Sequence, residues 1–293
     1  MGDSWQRKTD YGGSAKFRAV GFAIGSKGYI GTGCWGTSEY KDFWEYDPAA
    51  DAWTQKADFP GNHRYAAAGF AIGSYGYLGT GKNTSTFNDF YRYDPSTNSW
   101  LARQNFGGYI RYGAVGFAIG SKGYMGTGWK TSRKVDFWEY NPATNAWTQK
   151  ANFGGAARLY ATGFGLNGKG YLGTGNTDGG VPVKDFWEYD PDLNAWTQKT
   201  DFGGSARYEA GSFTLGEKGY IGFGWDGATK NDLWEYDPSA DSWTRKSDCG
   251  VTMGYSPSGF AINFKGYMGV GQTEQFWEWG TDSFKAMMIQ MTP

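Results

Sequence analysis

Apolar and polar positions alternate in short runs along this chain, and the runs are punctuated by glycine, proline and asparagine. In residues 66–81 the apolar stretch "AAAGFAI" is followed by "GSYG", whose glycines accept a positive φ, and then by "YLGTG"; this pattern predicts a β-hairpin. In residues 89–104 "DFYRYD" alternates as a strand does, "PSTNS" supplies turn residues, and "WLARQ" runs back. Four strands, A to D from first to last, are thus predicted for one unit of sequence.

The unit recurs. "DFWEYDPAADAW" at Asp42 returns as "DFYRYDPSTNSW", "DFWEYNPATNAW", "DFWEYDPDLNAW" and "DLWEYDPSADSW". Trp5, Trp53, Trp100, Trp147, Trp196 and Trp243 lie 48, 47, 47, 49 and 47 residues apart, and Phe284 stands where a seventh would fall. Between them lie six copies of a thirteen-residue phrase, from "GFAIGSKGYIGTG" at Gly21 to "GFAINFKGYMGVG" at Gly259. A period in this range marks a repeat architecture. A four-stranded meander of this size cannot bury both of its faces alone, so the units are expected to stack around an axis and close into a ring. The expectation is an all-β, six-bladed β-propeller with four antiparallel strands per blade, spanning residues 1–284, with 285–293 as a C-terminal tail.

Strand counting predicts how the ring closes. "SWQRKTD" near the N-terminus matches "AWTQKAD" better than "SFKAMMI" near the C-terminus does. The N-terminal segment is therefore expected to supply strand D of the last blade.

A small-residue strand, a glycine stop after Tyr and a hydrophobic residue, an aromatic strand ending in Tyr-Asp-Pro, and a Trp about six residues later together resemble the kelch repeat, over essentially the whole chain. The chain departs from that pattern in carrying Gly-Thr-Gly, Gly-Phe-Gly or Gly-Val-Gly where kelch units usually carry a Gly-Gly doublet. The resemblance implies a propeller. In kelch propellers that act as substrate adaptors, arginines before the innermost strand grip acidic peptide side chains, and "RYG" at Arg111 resembles that arrangement.

Composition narrows the function. Aromatics make up 19% of residues and glycine 48 positions, which suits pleated strands and tight turns. With 28 basic and 29 acidic residues there is no basic field for nucleic acid or an anionic membrane. No apolar run reaches the ~20 residues of a transmembrane helix. The start "MGDSWQRKTD" lacks the apolar core of a signal peptide, so a soluble chain, possible also as a mature secreted form, and a monomer are expected. Cys34 and Cys249 make no disulfide framework.

In an A-B-C-D meander the D-to-A and B-to-C links emerge on one face, and the B-to-C links vary while the turns on the other face repeat. Recognition generally lives on variable loops of a rigid scaffold. On that face, before each strand A, stands a cation: Lys16, Arg64, Arg111, Arg158 and Arg207, with Gly254 in the last unit. Phe17, Tyr65, Tyr112, Tyr208 and Tyr255 follow them, with Leu159 in the fourth unit. This predicts a channel mouth ringed by cations and aromatic edges, open over the sixth blade. A structural role competes, in which each arginine bridges to a neighbouring blade's carboxylate or caps backbone carbonyls. Trp35, Trp129 and Trp225 open three of the B-to-C links and are candidates for stacking on sugars or entering a protein pocket.

Catalytic and metal chemistry find little support. His63 is the single histidine, and loop acids such as Asp178, Asp226 and Glu39 form no spacing that singles out a pair. No cofactor is expected. The reading is a non-catalytic scaffold that binds an acidic peptide or protein at the Arg/Tyr-lined mouth. One alternative is a carbohydrate-binding or carbohydrate-active propeller. Another is a duplicated or engineered scaffold with no specific ligand.

Overall fold

The structure is a computed structural model, and it describes residues 3–251 and 253–280. Six four-stranded antiparallel sheets follow one another as blades. The innermost strands are Val20–Ile24, Ala68–Ile72, Val115–Ile119, Thr162–Leu166, Gly211–Leu215 and Ser258–Ile262. They enclose a central channel of about 370 Å³ walled by alanine, glycine and other small residues. The alternation within each innermost strand follows directly: Phe22 and Ile24 are buried between blades, while Ala19, Gly21 and Ala23 line the channel.

The seal is the one expected from strand counting. Ser4–Arg7 pairs with Phe276–Gly280, whose other neighbour is Lys265–Gly269, so the first strand of the chain completes the last blade. Trp5 packs on Trp279 and Phe223 across this junction, beside buried Cys249. The tail at 285–293, and Phe284, lie outside the described residues.

Among the described residues the core is divided into six clusters, each shared between adjacent blades. The repeated phrase is the means of building them. Trp100 packs edge-on against Phe43 of the preceding blade, and its indole N–H donates to the Ala57 carbonyl at 2.9 Å. The same interblade bond is made by Trp5, Trp53, Trp147, Trp196 and Trp243. Two residues before the Trp, Asn98 accepts both the Tyr93 hydroxyl of its own blade and the Ala57 amide of its neighbour. Asp51, Asn145, Asn194 and Asp241 do the same in their units, each at a positive φ that Asp and Asn tolerate better than most residues. The "GY" of strand B has its own reason: a Cβ at Gly123 would lie 2.1 Å from the Phe70 ring of the adjoining blade.

Candidate functional site

The five repeated cations do not reach the mouth. Lys16, Arg64, Arg111 and Arg158 have no exposed surface and Arg207 has 1%. Arg111 shows what holds them. It forks onto Asp136 at 2.8 and 2.5 Å, donates to the Thr127 carbonyl at 2.8 Å and to the Tyr109 carbonyl at 3.1 Å, and lies over the Phe106 ring. Arg158 with Asp185 and Arg207 with Asp232 repeat the geometry, as does Arg64 with Asp89, and Lys16 is held by Asp42. The carboxylate is finished on its other side by an indole, Trp138 donating to Asp136 at 2.8 Å. The expectation that these cations offer donors to a ligand is corrected on this point: their donors are spent inside the blade. The competing structural role holds in altered form, because each carboxylate belongs to the cation's own blade.

The electrostatics follow from this enclosure. Burial by itself would raise Asp136, Asp185 and Asp232, but the hydrogen bonds and charge of their arginines outweigh it and hold all three below the usual carboxylate range. For Lys16 burial prevails over Asp42, and its pKa falls.

The aromatic residues do gather at the mouth. Trp35, 43% exposed, meets Phe17, which meets Tyr255, which meets Trp225, with ring centres 6.0, 5.5 and 5.7 Å apart. A second arc runs from Trp129 through Tyr112 and Tyr160 to Tyr208, at 5.4, 6.3 and 6.5 Å. Tyr65 lies between the Arg18 and Lys82 cations. Local backbone pairing positions these rings: Tyr112 bridges to Trp129 and Tyr208 to Trp225, so each D-to-A link is clamped to the B-to-C link of its own blade.

One position escaped the reading of the sequence. Two residues after each cation, or after Gly254, stand Arg18, Ala66, Gly113, Tyr160, Glu209 and Ser256, six different residues in a chain that otherwise repeats itself. All six have φ between 52° and 63°. Amide-to-carbonyl bonds join them from blade to blade, Ala66 to Arg18, Gly113 to Ala66, Tyr160 to Gly113, Glu209 to Tyr160 and Ser256 to Glu209. They form a collar at the end of the channel. Side chains other than glycine occupy this conformation at a cost of roughly 1 kcal/mol or more each, a cost that clusters at functional sites. The signal in the sequence was the contrast itself: one variable column inside a repeated phrase.

From this collar Arg18 reaches across the mouth. Its guanidinium lies 4.7 Å from the Tyr160 ring centre, and its Nε donates to Glu209 Oε1 at 2.7 Å. Glu209 is buried, with 4% of its surface exposed. Burial raises its pKa, and the charge and hydrogen bond of Arg18 only partly oppose that. Arg18, Glu209, Tyr208, Trp225 and Tyr255 line a recess of about 270 Å³. The recess lies on the side of the mouth where Gly254 replaces the cation. A second hollow, of about 610 Å³, lies outside the collar beside Tyr109, Arg133 and Lys134.

No family model matches the chain, and no curated protein does. Among solved structures it is similar to one described as "Structure of YjhT", with a TM-score of 0.77 at 18% identity, over 93% of this chain and 95% of that one. At that identity the likeness is one of fold, and it agrees with the blades traced above: the chain is a six-bladed β-propeller.

Proposed function

We propose that the protein is a non-catalytic recognition scaffold of the kelch type, whose working surface is the aromatic mouth of the channel and whose ligand is a glycan. The observation that carries this reading is the pair of aromatic arcs, with Trp35, Trp129 and Trp225 at their ends, set around a mouth from which the repeated cations have been withdrawn. Half-exposed indole and phenol rings on a rigid frame present apolar faces that stack on the C–H faces of sugars, with little conformational entropy lost on binding. The steep attraction for an acidic peptide that five free cations would supply is missing, since each already has its carboxylate.

Binding of the purified protein to a glycan array, repeated at low and high salt, tests this. Retention of a glycan at high salt, lost in Trp129→Ala, supports the reading. Binding confined to acidic peptides and abolished by salt refutes it.

The acidic-peptide reading keeps one foothold, away from the collar. Tyr109 is 66% exposed, with Lys130 and Lys134 4.9 and 5.9 Å from its ring centre and Arg133 lining the same hollow. An acidic segment would meet both cations and an aromatic face there. Lys130→Glu with Lys134→Glu would abolish such binding and leave glycan retention unchanged.

A further inference from the structure

The ion pair at the mouth differs from every other arginine-carboxylate pair before a strand A, and the difference has the form of an unfilled site. Arg64, Arg111, Arg158 and Arg207 each use two nitrogens on both oxygens of one aspartate. Arg18 and Glu209 share a single bond, from Nε to Oε1. The second carboxylate oxygen, Glu209 Oε2, is buried and has no hydrogen-bond partner among the described residues. Leaving such a group unsatisfied is costly, and more so when it is charged. The Arg18 side chain keeps 24% of its surface exposed, against 1% for Glu209, and both residues line the same recess, with only Nε of the guanidinium committed to the carboxylate.

Chemistry selects what completes the pair. The site offers N–H donors and one carboxylate acceptor side by side. A hydroxyl accepts and donates at once, and two adjacent hydroxyls divide the roles between them. A carboxylate or phosphate only accepts, and it would bring a second anion against Glu209 Oε2. The walls favour the same class: Tyr208, Trp225 and Tyr255 stand around the recess, with Trp225 edge-on to Tyr255 at 75°. Its volume of about 270 Å³ falls just below the roughly 300–1,000 Å³ of drug-sized sites, which suits one ring better than a chain.

We infer that Arg18 and Glu209 form the hydrogen-bonding floor of a monosaccharide subsite, which takes the hydroxyl groups of one neutral sugar ring stacked against Tyr208, Trp225 and Tyr255. This rests on the glycan reading above and narrows it to one recess and to uncharged sugars. The aromatic arc around Trp129 then contacts further rings of a longer glycan.

Titration calorimetry and tryptophan fluorescence with the methyl glycosides of glucose, galactose, mannose and N-acetylglucosamine, and with glucuronic acid, test the inference at pH 7. At least one neutral glycoside binds the wild-type protein, and glucuronic acid binds at least tenfold more weakly than methyl glucoside. Arg18→Met and Glu209→Met each weaken the neutral sugar at least tenfold. The double variant, which leaves no charge unpaired and so keeps the fold, as checked by its thermal melt, loses the sugar entirely. Sugar binding that is indifferent to all three variants but lost in Trp129→Ala overturns the subsite and leaves the glycan reading standing. Failure of every sugar and every arrayed glycan to bind the wild-type protein overturns both.

Discussion

Two sets of cations stand within a few residues of one another at the same end of the propeller, and their fates are opposite. Arg64, Arg111, Arg158 and Arg207 repeat once per blade and are buried, forked onto an aspartate and set over a phenylalanine ring. Arg18 occurs once, lies in the collar, spans the mouth and leaves its partner's second oxygen bare. In a repeat protein, a residue retained in unit after unit is retained because each unit must fold against its neighbour in the same way. A ligand meets the ring as a whole and breaks its symmetry, so a residue that serves a ligand is expected where the units differ. Repetition marks the frame here, and its interruption marks the site.

The largest test asks whether a repeated residue carries the same load wherever the chain places it. Trp5 and Trp100 occupy equivalent positions, one in the N-terminal strand that seals the ring and one within the chain. Trp5→Ala and Trp100→Ala are each expected to cost about 3 kcal/mol of unfolding free energy in urea denaturation, within the range for large aromatic truncations. Removing residues 1–10 should lower the melting temperature further, and should expose Cys249, now fully buried, to a thiol reagent in the native state. Unchanged labelling of Cys249 after the truncation would break the account of the seal.

The second test compares the cations themselves. Arg111→Ala strips the half-buried Asp136 of its cation and is expected to cost about 1–3 kcal/mol. Arg18→Met combined with Glu209→Met removes both partners together and is expected to change stability by less than about 1 kcal/mol, while abolishing sugar binding. Equal destabilisation by the two changes, again measured in urea, would erase the distinction between frame and site.

Acid separates the two classes of carboxylate. The folded-state pKa values of Asp136, Asp185 and Asp232 are depressed, so they contribute stability that is present above the ordinary carboxylate range and is lost as pH falls through their folded values. Glu209 is raised, so its contribution has the opposite sign: it is full below its unfolded value and is lost as pH rises through its folded value. Glu209→Gln should therefore raise the melting temperature relative to wild type at pH 7 more than at pH 4, and Asp136→Asn should show its penalty at pH 7 and lose much of it by pH 3. A parallel shift of both variants at all pH values would refute the assignment.

The smallest effect is expected at the rim. Trp129→Ala and Trp225→Ala should each alter stability by about 1 kcal/mol or less, as partly exposed link residues do, with glycan retention as the sensitive readout.

Much of the fold was legible because its signals are local and reiterated. The period of the tryptophans, the glycine turns and the Tyr-Asp-Pro ends of strand C mark blade number and strand order, and the match of "SWQRKTD" to "AWTQKAD" marks the seal. The site was legible only in part. The aromatic residues Phe17, Tyr65, Tyr112, Tyr208 and Tyr255 lie at the mouth as their place before strand A implies. Arg111 and its equivalents, read from the same stretch, turned inward, because the aspartate that claims each one lies about 25 residues away, at the start of strand C. Arg18 and Glu209 were passed over because they are 191 residues apart, and nothing near either one names the other.

What the sequence determined by itself was therefore the unit and its multiplication: alternation, turn chemistry and a constant period are properties of neighbouring residues, and six like units with sticky faces have few ways to pack. What only the tertiary structure decided was the direction in which each charged side chain points. That choice depends on which carboxylate ring closure brings within reach, and on how much water the closed ring leaves at its mouth.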